Sequence, residues 1–205
     1  LGDLDGDGDL DAFVGNVSPR ANSVWINDGT GTFTNSGQSL GTNTQGLALG
    51  DVDSDGDLDA VTSHNGGAKV WINDGSGTFT DSGQTVGESS TSDVALGDVD
   101  GDGDLDIFLA SEATNRLWIN DGSGAFTDSG QDIRATGGVP RPFYSVALGD
   151  LDGDGDLDAF VGTDFTDMLW LNDGSGTFIE SGLTLSTLTG AYSRDNQFVV
   201  MGDLD

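Results

Sequence analysis

The 205-residue chain contains no cysteine, one histidine, three prolines and only six lysines and arginines. Without cysteine there is no disulfide framework, and no thiolate to serve as nucleophile or metal ligand. The single histidine, His64, leaves zinc without a ligand set. It lies in Ser63-His64-Asn65-Gly66-Gly67, with no nucleophile motif beside it. Six basic residues against 36 acidic ones give a formal charge of −30, which excludes a nucleic acid backbone as a partner. No apolar run is long enough to span a bilayer, so direct membrane insertion is not expected. No signal-peptide pattern opens the sequence, and no window has helical periodicity. These absences leave an acidic, glycine-rich chain whose apolar residues come in short β-type runs.

What is present instead is one acidic loop, spelled four times. Its copies carry Asp3, Asp5, Asp7, Asp9 and Asp11; Asp51, Asp53, Asp55, Asp57 and Asp59; Asp98, Asp100, Asp102, Asp104 and Asp106; and Asp150, Asp152, Asp154, Asp156 and Asp158. A fifth copy begins at Asp203-Leu204-Asp205. Two unit charges about 4 Å apart repel by roughly 4 kcal/mol at the effective dielectric of a protein surface. Five carboxylates in nine residues therefore call for a cation. Carboxylates at loop positions 1, 3, 5 and 9 form an oxygen-only ligand set, and position 7 (Asp9, Asp57, Asp104, Asp156) would offer its backbone carbonyl. Glycine at position 6 (Gly8, Gly56, Gly103, Gly155) permits the sharp turn. Such a flexible oxygen set suits calcium better than magnesium, which demands a tight octahedron and keeps its waters. The expectation is calcium, about one ion per repeat.

An EF-hand is the obvious rival, but it needs an acid at position 12 and a helix beyond it. Here position 12 is Val14, Thr62, Leu109 or Val161, each inside a short β-type run. The loop therefore closes through position 9 and feeds a strand.

The first aspartates, at 3, 51, 98, 150 and 203, recur every 47 to 53 residues, a period that points to a solenoid or propeller. A second signature holds a fixed place in each unit: Trp25 to Phe33, Trp71 to Phe79, Trp118 to Phe126 and Trp170 to Phe178, each enclosing Asn-Asp-Gly-Ser/Thr-Gly. Asn, Asp and Gly between aromatic and β-branched residues make a hairpin turn. Each unit then resolves into strand A, the acidic loop, strand B, a variable loop, strand C around the Trp, the turn, and strand D around the Phe. Strand A is represented by residues 47–50, 94–97, 146–149 and 199–202. Four antiparallel strands per unit predict an all-β propeller blade, with the Trp and Phe residues packed between blades. The units run about 1–46, 47–93, 94–145 and 146–198, and 199–205 starts a further one.

The pattern Gly-Asp-x-Asp-Gly-Asp-Gly-Asp-x-Asp followed by an apolar strand resembles the FG-GAP/VCBS repeat family, which includes the calcium-binding propeller of integrin α-chains. The resemblance covers essentially the whole chain. It implies one calcium per loop, between strands A and B. It implies no particular ligand, because the family serves as adhesion modules, lectins and appendages of polysaccharide-degrading enzymes. Four repeats depart from the usual seven blades. Strand A at 198–202 could pair with strand B at 12–15 and close a ring, but Gly202-Asp203-Leu204-Asp205 duplicates Gly2-Asp3-Leu4-Asp5. The duplication favours a piece of a longer array whose ends are not natural termini.

Four calcium ions would lower the net charge only to about −22, so the acidity exceeds what the loops require; an acidic surface suited to salty water is the plain explanation. Loops without EF-hand refinement tend towards weak calcium affinity, which suits an extracellular, secreted or cell-surface setting. Metal clips would then replace disulfides as staples of a loop-rich fold. Asn16-Val17-Ser18 also fits a glycosylation acceptor.

In a propeller the A–B and C–D turns share one face, and the B–C and D–A loops share the other. The sequence places Arg20, Lys69 and Arg116 in B–C loops, and Arg134, Arg141 and Arg194 in D–A loops. The candidate ligand residues on that face are Arg134, Arg141, Phe143, Tyr144, Tyr192 and Arg194, with His64 and Phe165 nearby. Three readings stay open: calcium loops simply exclude positive charge; the face binds a protein or an acidic glycan; or acidic face meets basic face in head-to-tail self-association, as in a surface filament. Paired carboxylates for glycoside cleavage occur within the metal loops, and no catalytic constellation assembles, so no enzymatic activity is expected. The expected function is an extracellular, calcium-stabilised propeller module for adhesion, recognition or assembly. The alternatives are a lectin-like module, or a non-catalytic propeller part of a polysaccharide-degrading enzyme.

Overall fold

A computed structural model of the chain describes residues 1–87, 90–111, 114–134, 143–163 and 167–185. Its strands form antiparallel meanders, one per repeat. Blade 1 contains β1 (Ala12–Val14), β2 (Ser23–Asn27) and β3 (Phe33–Asn35). Blade 2 contains β4 (Leu47–Gly50), β5 (Asp59–His64), β6 (Gly67–Asn73) and β7 (Phe79–Asp81). Blade 3 contains β8 (Thr91–Gly97), β9 (Asp106–Ser111), β10 (Arg116–Asn120) and β11 (Phe126–Asp128). Blade 4 contains β12 (Phe143–Gly149), β13 (Asp158–Thr163), β14 (Asp167–Asn172) and β15 (Phe178–Leu185). The all-β propeller architecture expected from the repeat is what is found, with strand order A-B-C-D in blades 2, 3 and 4 and three strands in blade 1. In place of a full strand A, blade 1 has a single bridge between Gly2 and Asp11. The strand expected at 198–202 lies outside the described residues.

Local chemistry explains the elements. Strand B is buried on both faces in blades 2 and 3, so β9 carries the continuous run Ile107-Phe108-Leu109-Ala110 and β5 buries Ala60 and Val61 beside the small polar Thr62 and Ser63. The outermost strands β7 and β11 bury only their first residue, a Phe, and expose the Thr and Asp that follow. The C–D turns need positive φ at both glycines, as at Gly75 (+74°) and Gly77 (+73°). In that turn Asp74 accepts hydrogen bonds from the Ser76 hydroxyl (2.6 Å) and amide (3.0 Å), which hold its carboxyl below the ordinary range.

The core lies between blades, not within them. Three apolar clusters correspond to three boundaries. Leu4, Phe13 and Val24 of blade 1 meet Trp71 and Phe79 of blade 2. Val61 and Val70 of blade 2 meet Ile107 and Phe126 of blade 3, and Phe108 and Leu117 of blade 3 meet Trp170 and Phe178 of blade 4. Phe13–Phe79 and Phe108–Phe178 pack edge to face at 5.2 and 5.4 Å. Each buried Phe contributes roughly 1.5–3 kcal/mol through area removed from water, and such ring pairs somewhat more. The signature Trp and Phe residues of blades 2, 3 and 4 therefore serve as inter-blade packing, as expected, whereas Trp25 and Phe33 of blade 1 belong to none of the three clusters.

The placement of two basic residues differs from expectation. Lys69 and Arg116 are strand residues, in β6 and β10, not B–C loop residues. Strand C begins earlier than the Trp signature suggests, because β5 and β6 continue pairing back to His64↔Gly67.

Candidate metal centre

Each acidic loop runs from the end of strand A to the start of strand B, and its two ends are tied together by the ladder. In blades 2, 3 and 4 the last residue of strand A faces the ninth loop residue: Gly50↔Asp59, Gly97↔Asp106 and Gly149↔Asp158. The chain between must curl, and the curl is held by the loop's first carboxylate. Asp3 Oδ1 and Oδ2 accept the amides of Gly6 and Gly8, both at 2.9 Å. Asp98 does the same with Gly101 (2.8 Å) and Gly103 (3.0 Å), and Asp150 with Gly153 (2.7 Å) and Gly155 (3.1 Å). Asp51 instead takes Asp55 (3.1 Å) and Gly56 (3.0 Å), because Ser54 stands where the other loops have glycine.

The ninth-position acids Asp11, Asp59, Asp106 and Asp158 are fully buried. Each spans the blade. Asp59 Oδ2 accepts the Val52 amide within its loop at 3.0 Å, and Oδ1 accepts the Asn73 amide of strand C at 2.8 Å. Asp106 bonds Val99 and Asn120, Asp11 bonds Leu4 and Asn27, and Asp158 bonds Leu151 and Asn172 in the same way. Burial pushes the carboxyls of Asp59 and Asp106 up to about 6, against the lowering effect of those amides. Burial, together with neighbouring carboxylates, also raises Asp5, Asp53, Asp100 and Asp152.

The fold brings three of the five carboxylates of each loop to one point. Asp3, Asp5 and Asp11 place one oxygen each within 4.8 Å of one another; so do Asp51, Asp53 and Asp59, Asp98, Asp100 and Asp106, and Asp150, Asp152 and Asp158. Two oxygens bound to one calcium at about 2.3–2.6 Å lie at most about 5 Å apart, so these spacings fit a shared ion. Blade 2 adds a direct sign: Asp53 Oδ1 is buried without a hydrogen-bond partner among the described residues. The residues present fit a hard cation.

The remaining acids are placed differently. Position 5 is not in the cluster; Asp7, Asp55, Asp102 and Asp154 each accept the amide two residues on, at 2.9 to 3.0 Å. Position 7 turns its carboxylate towards the C–D turn of its own blade. A Cβ added at Gly29, Gly75, Gly122 or Gly174 would collide with Asp9, Asp57, Asp104 or Asp156.

On the loop face, Arg134 pairs with Asp132. Lys69 pairs with Asp81 and lies 5.3 Å from the Trp71 ring centre, and Arg116 donates to the Gln131 carbonyl at 3.3 Å. Much of the positive charge counted in the sequence is thus already engaged. Tyr144 is half-buried in β12, next to Phe143. Arg141, Tyr192, Arg194 and Phe165 lie outside the described residues. His64 ends β5, where burial lowers its pKa.

Two recurring residues escaped the sequence reading. Asn73, Asn120 and Asn172 each send Nδ2 to the loop carbonyl of the preceding blade, Leu4 (2.9 Å), Val52 (2.8 Å) and Val99 (2.7 Å). Gln38 and Gln84 each accept the amide of a Phe in the next blade, Phe79 (2.8 Å) and Phe126 (3.0 Å), and donate to Gly77 O (2.7 Å) and Gly124 O (2.5 Å). Gln131 does so with Phe178 (3.0 Å) and Gly176. The available signal was recurrence: Ser-Gly-Gln appears three times in register, at 36–38, 82–84 and 129–131.

The profile of the FG-GAP-like repeat matches residues 3–62, 51–109, 98–161 and 150–205. The chain belongs to that family. Among solved structures it is similar to a lectin of Agrocybe aegerita, described as recognising non-reducing terminal N-acetylglucosamine. That likeness has a TM-score of 0.60 at 23% identity, over 90% of this chain and 50% of the lectin. A protein from Lactobacillus plantarum gives a TM-score of 0.60 at 17% identity, over 87% of this chain and 54% of that protein. This chain thus spans about half the length of these two structures. No curated protein matches it.

Proposed function

We propose that this FG-GAP-like repeat segment is a calcium-stabilised propeller module that works outside the cell as an adhesion, recognition or assembly element, with its calcium structural and no catalysis of its own. One observation carries the reading: the same three carboxylates converge at the same loop positions in four successive repeats. Asp3, Asp5 and Asp11 and their counterparts would hold the ion, which supplies the positive charge that the cluster lacks. The ninth-position acid, already bonded to strand C, makes the metal a link between loop and sheet rather than a reagent. A weak oxygen site of this type fills at extracellular calcium concentrations and stays empty at resting cytosolic ones.

Thermal melting tests the calcium reading. At about 100 times its Kd, each bound ion adds roughly 2.7 kcal/mol to the folded state. Chelator should therefore lower the melting temperature by many degrees, and readded calcium, but not equimolar magnesium, should restore it. An unchanged melting curve would refute the reading. Titration calorimetry should give about one ion per repeat.

The partner is proposed for the loop face, opposite the metal loops, with Arg134 and Tyr144 among the described contributors and the side chain of Phe143, Arg141, Tyr192 and Arg194 outside them. A protein or an acidic glycan is the class that this face suits, and the fold shared with a lectin makes glycans the first to screen. Joint substitution of Arg134, Arg141 and Arg194 by Ala should weaken binding on a glycan array or in pull-downs; unchanged signals would remove this face from consideration.

A further inference from the structure

The B–C turn of blade 2 is chemically unlike the others. It joins β5 to β6 through Asn65-Gly66, the one Asn-Gly pair in the chain. Asparagine is a thermolabile residue, and glycine is the neighbour that exposes it most. Having no side chain, glycine lets its own main-chain nitrogen approach the asparagine amide carbon, and its backbone is the least restricted. Other asparagines are placed differently. Asn73, Asn120 and Asn172 are buried and stand before an aspartate. Asn16 stands before the β-branched Val17, and its Nδ2 donates to the Ala21 carbonyl at 2.9 Å.

The fold leaves the nitrogens of this pair free and grips the oxygen between them. Asn65 is exposed. Neither its Nδ2 nor the Gly66 amide donates a hydrogen bond among the described residues. Its Oδ1 accepts two, from Gln45 Nε2 at 2.6 Å and from Ser90 Oγ at 3.0 Å. Both donors are held in place. The Gln45 amide donates to the Ser63 carbonyl at 2.9 Å, and Ser90 faces Asn65 across an antiparallel bridge. Two fixed donors on one carbonyl oxygen draw charge from its carbon and stabilise an oxyanion developing there.

We infer that Asn65 is a self-modification site, attacked by the Gly66 nitrogen with Gln45 and Ser90 as donors to the oxyanion. The Gly66 nitrogen gives its proton to solvent and forms a bond to Asn65 Cγ. The oxyanion then collapses, the Cγ–Nδ2 bond breaks, and the amide takes a proton from water and leaves as ammonia. A five-membered cyclic imide remains. Water opens one or the other of its carbonyls, giving aspartate or isoaspartate at position 65. Nothing is oxidised or reduced, and water is the only co-reactant.

The two products act differently on the loop face. Aspartate keeps an oxygen for Gln45 and Ser90 and makes both bonds charge-assisted. Isoaspartate lengthens the main chain by a methylene just ahead of Gly67, where there is no slack. A Cβ on Gly67 would meet the Val86 and Gly87 carbonyl oxygens at 2.5 Å, and Ala68 exchanges main-chain bonds with Val86 at 2.6 and 3.2 Å. Either product adds negative charge to this face. The inference depends neither on the metal nor on the ligand of the module.

Ageing the full chain at mildly alkaline pH, followed by peptide mapping with mass spectrometry, tests it. Asn65 should convert before any other asparagine, and both products should appear. Gln45→Ala and Ser90→Ala, each with an unchanged circular dichroism spectrum, should slow the conversion by about fivefold, the factor for one neutral hydrogen bond at the transition state. Amide hydrogen exchange separates the products. The isoaspartate form should lose protection at Ala68 and Val86, and Asn65→Asp should keep it. Earlier conversion of another asparagine, or aspartate formed without isoaspartate, would overturn the proposal. So would variants that convert as fast as the wild type or faster, and so would equal protection of Ala68 in the two products.

Discussion

The two faces of the propeller segment were built under different rules. On the turn face, four loops repeat one scheme, a first carboxylate over two loop amides and a ninth carboxylate between loop and strand C, with loop 2 alone shifting one of the two amides from position 4 to position 5. On the loop face no two repeats agree. The residue before strand A's apolar run is Gly46, Asp93 or Ser145, the B–C connection differs in composition each time, and the stretch from the Phe of strand D to the next loop's first Asp runs 18 (33 to 51), 19 (79 to 98), 24 (126 to 150) and 25 residues (178 to 203). Repetition marks what every blade needs in order to stand beside its neighbour. Variation marks where blades are free to differ, and so where a ligand can be recognised.

That contrast breaks first at a buried acid. Asp106→Ala removes a carboxylate that bonds the Val99 and Asn120 amides and belongs to the third metal cluster. Bonds to a charged group contribute about 1.5–3 kcal/mol each, so a loss of about 3–5 kcal/mol and a fall in melting temperature on the order of 10 °C are expected. Calorimetry should also lose one calcium. Arg134→Ala on the other face, where the ion pair with Asp132 is exposed, should change stability by less than about 0.5 kcal/mol. Equal effects at both positions would mean that the faces do not differ as argued.

The boundaries sharpen it next. Gln84→Ala leaves the Phe126 amide and the Gly124 carbonyl without their partner. Asn120→Ala removes the bond to Val52 across the same boundary. Each should cost about 1–3 kcal/mol in chemical denaturation. Together they should fall short of additive, because both changes loosen one interface.

Much of this architecture was legible in the sequence because its signals are local. The acidic spacing, the Asn-Asp-Gly turn and the short apolar runs each lie within about ten residues, and they set the strands, the turns and the place where the loop carboxylates converge. The ligand set was only partly legible. Asp7 and its counterparts alternate in sequence like Asp3, Asp5 and Asp11, but only the latter three and their counterparts bring oxygens within 4.8 Å of one another. The staples were hidden for another reason: Gln38 finds Phe79 41 residues away and Asn73 finds Leu4 69 residues away, so their partners exist only once blades are side by side. Strand starts were misjudged near Lys69 because a Gly-Gly turn lets a ladder run further than the apolar pattern does.

A pH series separates the metal from the carboxylates that hold it. Asp59 and Asp106 sit near 6 in the folded chain, above the unfolded value near 4. Folding without metal therefore takes up protons between those values. The resulting stability is fully present below about pH 4 and is lost as pH rises through about 6. The acids held low by turn hydroxyls, such as Asp74, lose their contribution only as pH falls below about 4. Between pH 7 and about 5 the chelated protein should thus gain a few degrees in melting temperature. The calcium-loaded protein should lose stability over the same range, since protons and metal compete for one site. Parallel curves with and without calcium would show that the buried acids are not ligands.

The smallest test concerns the one irregular member of the regular face. Ser54 adopts φ +62°, at the position where the other loops have Gly6 (+77°), Gly101 (+77°) and Gly153 (+86°). A side chain in that region costs about 1 kcal/mol, and part of it returns when glycine is introduced, since glycine loses more chain entropy on folding. Ser54→Gly should therefore raise the melting temperature by only about 1–2 °C. Its more telling effect is on hydrogen bonding. In loop 2 Asp53 Oδ1 stands unpartnered, whereas in loop 1 Asp5 Oδ1 accepts the Asp7 amide at 3.3 Å. If the irregular backbone leaves that oxygen free, loop 2 should bind calcium more tightly than its neighbours, and Ser54→Gly should bring its affinity down to theirs. Site-resolved titration by NMR reads this directly. Identical affinities in all loops before and after the change would mean that the departure of Ser54 from glycine is a local accommodation with no consequence for the metal.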